Sequence, residues 1–262
     1  MPVHVRYYTD PACPVSFGNE PLIRKLMVEF GEDVHFTYVM GGLARTIEGD
    51  PAPRVREWLD VSERTGMPVD PRLWLEGPIH STYPACMAVK AASEQRADGV
   101  YLRALREGLF CFRRKLDSTE ALVGAARDTG LDAERFRVDL ESHAIVEAFG
   151  ADLDATRAIE DERFSLPSVS FDDEHWVFGA APYEEWRVAA LTAGASAAAE
   201  SPPSVPDALA RFGRMAIPEV GAVCDLPGPR AASGRLRSLS RACRRDPPAA
   251  ARRRRPRWWR GR

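Results

Sequence analysis

Two short segments with alternating apolar residues lie within the first 40 residues, and a helical pattern joins them. Val3, Val5 and Tyr7 alternate with polar residues, which is typical of a strand with one buried face. A second alternating segment covers residues 34–38, and the stretch from about 14 to 30 has helical spacing. Because a helical crossover is the usual way to join parallel neighbours, this order predicts a parallel β–α–β unit.

From about residue 53 to residue 161 the apolar residues recur at helical spacing nearly throughout. A stretch of this length is too long for a loop, so we predict a helical subdomain inserted into the sheet. Strand patterns return in "SVSFDDEHWVF", where two apolar segments flank the polar turn "DDEH" and predict a β-hairpin. The sequence therefore predicts an α/β fold whose N-terminal part (1–52) and C-terminal part (162–195) are separated by the helical subdomain (53–161).

The segment 196–262 differs in composition from the rest of the chain. It begins with an Ala-, Ser- and Pro-rich stretch that contains "SPPSVP" and is typical of a linker. Residues 228–262 then contain 13 arginines against one acid, so the body before them is acidic, since the whole chain has a net charge of −2. We predict a linker followed by a basic disordered tail. Binding to nucleic acid or to an anionic membrane and out-of-frame translation of GC-rich DNA are all compatible with this tail, and nucleic acid is not the favoured partner.

Neither the apolar runs nor the cysteines point to a membrane, a secretory route or a metal site. The longest apolar runs fall well short of the roughly 20 residues that span a bilayer, and "MPVHVRYYTD" lacks the pattern of a signal peptide. The sequence therefore predicts a cytoplasmic protein without a membrane partner. Its cysteines form no Cys-x-x-Cys pair, so we expect no metal ligands and mostly free thiols. These cysteines are Cys13, Cys86, Cys111, Cys224 and Cys243.

The segment "TDPACPVSFG" places Cys13 directly after the first predicted strand and before a predicted helix. Pro14 suits the first helical position because it has no N–H to leave unpaired. The free N–H groups and the dipole of a helix start stabilise a thiolate and can lower the pKa of a cysteine below about 8.5. Cys13 is thus a candidate nucleophile, although the segment alone is more typical of a small buried cysteine.

The order of these parts resembles the DsbA-like branch of the thioredoxin superfamily. In that family a strand leads into a Cys-Pro-x-Cys helix start, a helical domain follows the second strand, and a cis-proline loop precedes a hairpin. Here the same order is "DPACPVS", the helical block and "SLPSVSF", and "GPIHSTYPACMAVKAA" resembles the inserted domain of cytoplasmic members. The resemblance spans about residues 3–193 and implies a thioredoxin fold with an inserted all-helical subdomain.

The resemblance also implies roles for individual residues of the site. Cys13 matches the nucleophilic cysteine, Pro167 matches the cis-proline, and Leu166 matches the residue whose backbone faces the site. We expect Pro14, Leu166 and Pro167 to contact the substrate. Ser16 stands where the family has its resolving cysteine, so an internal disulfide with Cys13 is not available. Ser16 either donates a hydrogen bond to the thiolate or caps the helix, and the sequence leaves both roles open.

The function implied by the resemblance is thiol–disulfide exchange through mixed disulfides at Cys13. The substrate would be a protein or a small thiol or disulfide, with no bound cofactor and with glutathione as a co-substrate. One alternative is a glutathione-dependent isomerase or transferase of the 2-hydroxychromene-2-carboxylate isomerase and kappa-class type. Another is a non-catalytic adaptor that delivers a client to a protease.

Other eye-catching residues have plainer interpretations. Cys86 and Cys111 lie on apolar helical stripes, which predicts that both belong to the core. Trp58 and Trp74 are interpreted as packing residues. His80 is expected to lie on a loop. Other charged residues that could contact a substrate are expected to lie on the exposed surface.

Overall fold

One four-stranded sheet forms the centre of the protein in the computed structural model, which describes residues 1–197 and 201–227. Its strands are β1 (Val3–Thr9), β2 (Val34–Met40), β3 (Ser168–Phe171) and β4 (His175–Phe178), in the order β2-β1-β3-β4. Strand β1 is parallel to β2 and antiparallel to β3, and β3 is antiparallel to β4. The predicted parallel pair and the predicted hairpin are therefore confirmed.

Helices make up most of the rest of the described chain, and loops join them. Between β1 and β2 lie α1 (Pro14–Gly18) and α2 (Glu20–Phe30). Between β2 and β3 lie α3 (Ala52–Thr65), α4 (Leu73–Glu76), α5 (Tyr83–Ser93), α6 (Asp98–Arg106), α7 (Thr119–Asp128), α8 (Ala133–Leu140) and α9 (His143–Arg157). After β4 come α10 (Tyr183–Thr192), α11 (Val205–Phe212) and α12 (Ile217–Val223). The α/β architecture with an inserted helical subdomain is thus confirmed.

The helix expected from about residue 14 to residue 30 is two helices, with a break at Asn19. This residue ends α1 and precedes α2, and its N–H donates to the carbonyl oxygens of Val15 and Ser16. The physical reason is Pro21, which lacks an N–H and whose ring would collide with the carbonyl four residues earlier in a continuous helix. The break leaves α1 as a short helix, separate from α2, that begins directly after Cys13.

Helix α1 is held from the side of the helical insertion. Its Phe17 is fully buried and stacks on Phe110, with ring centroids 4.7 Å apart and an interplanar angle of 3°. Phe110 in turn packs against Trp58 of α3 at 4.2 Å. The core of the insertion therefore fixes the helix whose first residue follows Cys13.

The region after residue 196 is partly folded, which corrects the prediction of a linker and tail throughout 196–262. Helices α11 and α12 form a small apolar cluster that includes Val205, Val220 and Val223 and packs against Val28 of α2. Of the prolines that suggested a linker, Pro206 stands in the first turn of α11, where a missing N–H costs little, and Pro202 and Pro203 precede that helix. The predicted basic tail, 228–262, lies outside the described residues. Within the described residues, no helix is long and apolar enough to cross a bilayer.

Candidate active site

Cys13 lies at the end of β1 and is the N-cap residue of α1. Its Sγ accepts a hydrogen bond from the backbone N–H of Ser16 at 3.4 Å, as a capping side chain does. Pro14 is the first helical residue and leaves no unpaired N–H. Only 3 % of the Cys13 surface is exposed, so the sulfur lies at the bottom of the site rather than on its rim.

The segment before β3 closes the site from the opposite side. The Leu166–Pro167 peptide bond is cis, and the Leu166 carbonyl oxygen lies 3.6 Å from Cys13 Sγ. In this geometry the thiol donates to the carbonyl oxygen, a contact that favours the protonated form of Cys13. The three residues that the sequence placed around the nucleophile, Pro14, Leu166 and Pro167, therefore lie on the two segments that meet at the sulfur.

A pocket of about 270 Å³ opens next to the helix start. Ala12 and Pro14 form one wall, and Trp58 and Trp74 form another. Arg54 also lines the pocket, with its guanidinium carbon 5.5 Å from the centroid of the Trp74 ring. The sequence assigned the two tryptophans to packing alone, but both also border this pocket.

Ser16 is fully buried and continues a line of hydrogen bonds that begins at a buried arginine. The Ser16 Oγ accepts from Thr9 Oγ1 at 2.8 Å, and Thr9 Oγ1 accepts from Arg106 Nη2 at 2.5 Å. Arg106 Nη1 donates to Glu20 Oε1. A cation from the helical insertion therefore reaches the helix start that bears Cys13, and neither Thr9 nor Arg106 was a candidate from the sequence.

Burial raises the pKa of the Cys13 thiol, which corrects the expectation of a lowered value. The side chain and the backbone N–H of Ser16 both lower the pKa, and the charge of Arg106 acts in the same direction. The negative charge of Asp10 raises it. The sequence argument counted the helix start but not the desolvation of a sulfur that is almost fully covered.

Asp10 organises the loop between β1 and α1. Its Oδ1 accepts from the Ala12 N–H at 2.7 Å, and its Oδ2 accepts from the Leu43 N–H and from Thr82 Oγ1, each at 2.7 Å. The thiol of Cys86 donates to the same Oδ2 at 3.3 Å. Asp10 therefore ties the Cys13 loop to the segment after β2 and to the start of α5.

The other described cysteines differ from Cys13 in their contacts, and Cys224 is buried in the apolar cluster of α11 and α12. Cys86 is fully buried and belongs to the core of the insertion, as the sequence predicts. Cys111 is half-buried at the edge of that core, and its thiol donates to the Pro68 carbonyl oxygen at 3.3 Å. No group of three or more His, Cys, Asp or Glu in the described part of the chain could hold a metal ion.

Comparison with protein families gives one match that covers most of the chain. The model of the family described as Thioredoxin matches residues 7–175, which include Cys13, Ser16 and the Leu166–Pro167 segment.

Curated proteins with similar sequences are named ClpXP adapter protein SpxH. The Halalkalibacterium halodurans protein is 32% identical over 170 residues, which are 61% of this chain and 56% of that protein. The Bacillus subtilis protein is 29% identical over 158 residues, 58% of this chain and 53% of that protein. The chain thus spans about half the length of these relatives.

Solved structures with similar folds are described as disulfide-active proteins. A putative protein disulfide isomerase from Nitrosomonas europaea has a TM-score of 0.65 and 20% identity, covering 73% of this chain and 97% of that one. The cytosolic disulfide reductase DsbM from Pseudomonas aeruginosa, with GSH, has a TM-score of 0.60 and 17% identity, covering 72% and 98%. At such identities the likeness concerns the fold.

Proposed function

Because this chain belongs to the thioredoxin family and has the DsbA-like form of its fold, we propose that it carries out thiol–disulfide exchange as a monothiol protein through Cys13. The observation that carries this proposal is the position of the Cys13 sulfur. It caps α1, accepts the Ser16 N–H, faces the Leu166 carbonyl oxygen and adjoins a pocket. These are the features that a thiol needs for attack on a disulfide at the start of a helix.

The reaction proceeds in two exchange steps. The Cys13 thiolate attacks one sulfur of a disulfide, the Cys13–S bond forms, and the other sulfur leaves as a thiolate. A second thiolate then attacks the mixed disulfide and releases Cys13 as a thiolate with a new disulfide. Ser16 has no sulfur to perform this second attack, so the resolving thiol comes from outside the site.

We propose glutathione as this external thiol. It is a small, abundant thiol in the reducing compartment that the free cysteines favour. The pocket that Ala12 and Pro14 line, on either side of Cys13 in the sequence, offers space for a small peptide, and Arg54 and Glu57 on its wall suit a carboxylate and an amino group. The structural neighbour from Pseudomonas aeruginosa is described with GSH, which supports the same choice.

A second candidate is a non-catalytic adaptor, which the curated relatives favour. Those proteins are named ClpXP adapters, and this chain is 26–32% identical to the Halalkalibacterium, Bacillus subtilis and Shouchella clausii members. In this role the chain would bind a ClpXP protease, and Cys13 would serve only as a buried cap of α1. The isomerase alternative stays a prediction.

Exposure of the purified protein to oxidised glutathione, followed by intact mass measurement and peptide mapping, tests the exchange function. The expected result is one glutathionyl adduct at Cys13, which reduced glutathione removes again. Cys13→Ala should abolish the adduct. Cys111→Ala is the matched control, because Cys111 is more exposed than Cys13, and its loss should leave the adduct in place.

A second measurement distinguishes the adaptor function from the exchange function. Binding of the protein to purified ClpX is measured by titration calorimetry for the wild type and for Cys13→Ala. Binding that survives Cys13→Ala, together with no glutathionyl adduct on the wild type, would replace the exchange function by the adaptor function. An adduct on Cys86 or Cys111 instead of Cys13 would show that the nucleophile is wrongly assigned.

A further inference from the structure

We propose that the Ser16 hydroxyl donates its hydrogen to the Cys13 thiolate, and that Thr9 and Arg106 are positioning residues that force this direction. The inference deepens the proposed function, because it concerns the same sulfur and the same reaction. It assigns a role to a buried arginine that lies 97 residues from Thr9 in the sequence and that no sequence motif contains. It also settles which of its two open roles Ser16 performs.

The direction follows from counting hydrogens along the chain of contacts. Arg106 is a donor only, so its Nη2 gives a hydrogen to Thr9 Oγ1 and never receives one. The Thr9 hydroxyl has one hydrogen, and Ser16 Oγ lies 2.8 Å away to accept it. Ser16 Oγ is thereby an acceptor towards Thr9, and its own hydrogen is left for another partner.

The remaining partner of that hydrogen is the sulfur. Cys13 Sγ already accepts the Ser16 N–H at 3.4 Å, so the same residue approaches it with two donors. The hydroxyl of Tyr7 is the other buried oxygen beside Ser16, and it competes with the sulfur for this hydrogen. A forming thiolate is the stronger acceptor of the two, since hydrogen bonds to a charged group exceed those to a neutral hydroxyl.

The arginine that starts the chain is held in place by buried carboxylates. Its side chain is 1% exposed and pairs with Glu20, which also lies 3.5 Å from Arg103. Arg103 in turn contacts Glu219 of α12 at 2.9 Å, and Arg24 pairs with that same carboxylate. Such a paired network cannot rotate freely, because any displacement would leave a buried charge without its partner.

The charges that face Cys13 are consistent with this role. Arg106 lowers the pKa of Cys13 and Asp10 raises it, while Tyr7 stays a neutral phenol because burial raises its pKa. Ser16 is the only group of these that lowers the pKa through both a side-chain and a backbone hydrogen bond. The hydroxyl is therefore the element through which Thr9 can act on the sulfur.

The test measures the pH profile of alkylation at Cys13 by iodoacetamide, followed peptide by peptide with mass spectrometry. Ser16→Ala and Thr9→Val should each slow the reaction at pH 7 about three- to tenfold and shift the profile to higher pH, because the first removes the hydroxyl that donates to the thiolate and the second removes the contact that directs this hydroxyl. The double variant should be no slower than Ser16→Ala alone, since Thr9 acts only through Ser16. Thr9→Ser keeps the hydroxyl and should restore the wild-type profile.

Thr37→Val is the matched control. It removes a threonine hydroxyl from the neighbouring strand, where Thr37 contacts His4 and not the Cys13 site, and it should leave the profile unchanged. An unchanged profile in Thr9→Val, or effects of Thr9→Val and Ser16→Ala that multiply in the double variant, would overturn the proposal. If the valine variant folds poorly, Thr9→Ala removes the same hydroxyl and takes its place, with Thr9→Ser as the variant that keeps it.

Alkylation does not require disulfide exchange, so the inference and the proposed function fail separately. A profile that shifts as expected in a protein without glutathionyl exchange would leave the hydrogen-bond chain intact and remove the exchange function. A protein that exchanges glutathione with a profile insensitive to Thr9 would keep the function and remove the positioning role.

Discussion

Helices α1 and α5 both begin beside a cysteine and a proline, yet the two sulfur atoms meet different partners: a carboxylate at Cys86, and the Leu166 carbonyl oxygen and the Ser16 N–H at Cys13. Cys13 caps α1 and accepts a hydrogen bond from the Ser16 N–H. Cys86, in the first turns of α5, donates its thiol hydrogen to Asp10 Oδ2 at 3.3 Å. Both residues are buried, so exposure does not separate them.

The difference lies in what each sulfur meets after desolvation. Burial raises the pKa of both thiols, but the hydrogen bonds of Ser16 and the charge of Arg106 oppose the shift at Cys13. At Cys86 the charge and the acceptor of Asp10 add to the shift, and a backbone N–H from Gly42 does not compensate. A helix start with a proline and a cysteine is therefore not enough for a reactive thiol; donors must point at the sulfur.

The largest expected effect is in the alkylation rates of the two wild-type thiols. Cys13 should react with iodoacetamide at least about 100-fold faster than Cys86, because Cys86 faces a carboxylate and reacts only when the fold opens locally. Since the pKa of Cys13 is raised, the thiol is mostly protonated near neutrality, and its rate should rise roughly tenfold per pH unit from pH 6 to pH 8. Peptide-level mass spectrometry over this range measures both quantities.

Two outcomes would contradict this contrast. Equal rates at Cys13 and Cys86 would mean that the surrounding donors and acceptors do not control reactivity. A Cys13 rate independent of pH above pH 6 would mean that the thiolate already predominates there and that the pKa of Cys13 is lowered rather than raised.

The second effect concerns the position one helical turn beyond Cys13. Ser16→Cys should place a second thiol where the cap geometry already brings residue 16 to 3.4 Å from Cys13 Sγ through its backbone N–H. Mild oxidation should then form an internal disulfide and remove two free thiols by titration. The variant should also oxidise a reduced, unfolded protein without added glutathione.

Ser170→Cys is the control for this variant. Ser170 is equally buried but lies on β3, where its hydroxyl donates to Asp173 rather than facing the site. A new thiol there should remain free under the same oxidation. If Ser16→Cys also keeps all its thiols free, the N-cap arrangement of Cys13 is not the one described.

The sequence was enough to predict the sheet, its hairpin and the inserted helices, because alternation and helical spacing are local signals. The resemblance supplied Cys13, Ser16 and the Leu166–Pro167 segment, which the structure brings together. Helices α11 and α12 were missed because their prolines and alanines match the composition of a linker.

The donors behind Cys13 could not be predicted from the sequence. Arg106 stands in "YLRALREGLF", where an arginine on an amphipathic helix normally faces solvent, and its burial depends on Glu20 and Thr9 from distant parts of the chain. Asp10 is adjacent to the motif, but two of the groups that donate hydrogen bonds to it, the Thr82 hydroxyl and the Cys86 thiol, come from α5 and its N-cap. Charged residues that pair across such long separations in the sequence leave no periodic pattern in it.

The smallest expected effect comes from Asp10→Asn, which touches both cysteines. The substitution removes the charge that raises the pKa of Cys86 and, less strongly, that of Cys13, so both thiols should react faster at pH 7 and the difference between them should narrow. An asparagine amide also turns a donor towards the Leu43 N–H or the Ala12 N–H, which both need an acceptor. The free energy of unfolding should therefore fall by about 1–3 kcal/mol in urea titrations.

Asp50→Asn is the matched control, since Asp50 Oδ1 accepts from the N–H two residues later at 2.9 Å, as Asp10 does, but on the exposed surface. It should change neither alkylation rate, and its effect on stability should be small because water replaces the lost acceptor. The decisive measurement is whether Asp10→Asn raises the alkylation rate of Cys86 towards that of Cys13. If Asp10→Asn lowers stability but leaves the Cys86 rate where it was, Asp10 holds the loop without setting the reactivity of that thiol, and the contrast between the two helix starts must come from the groups around Cys13.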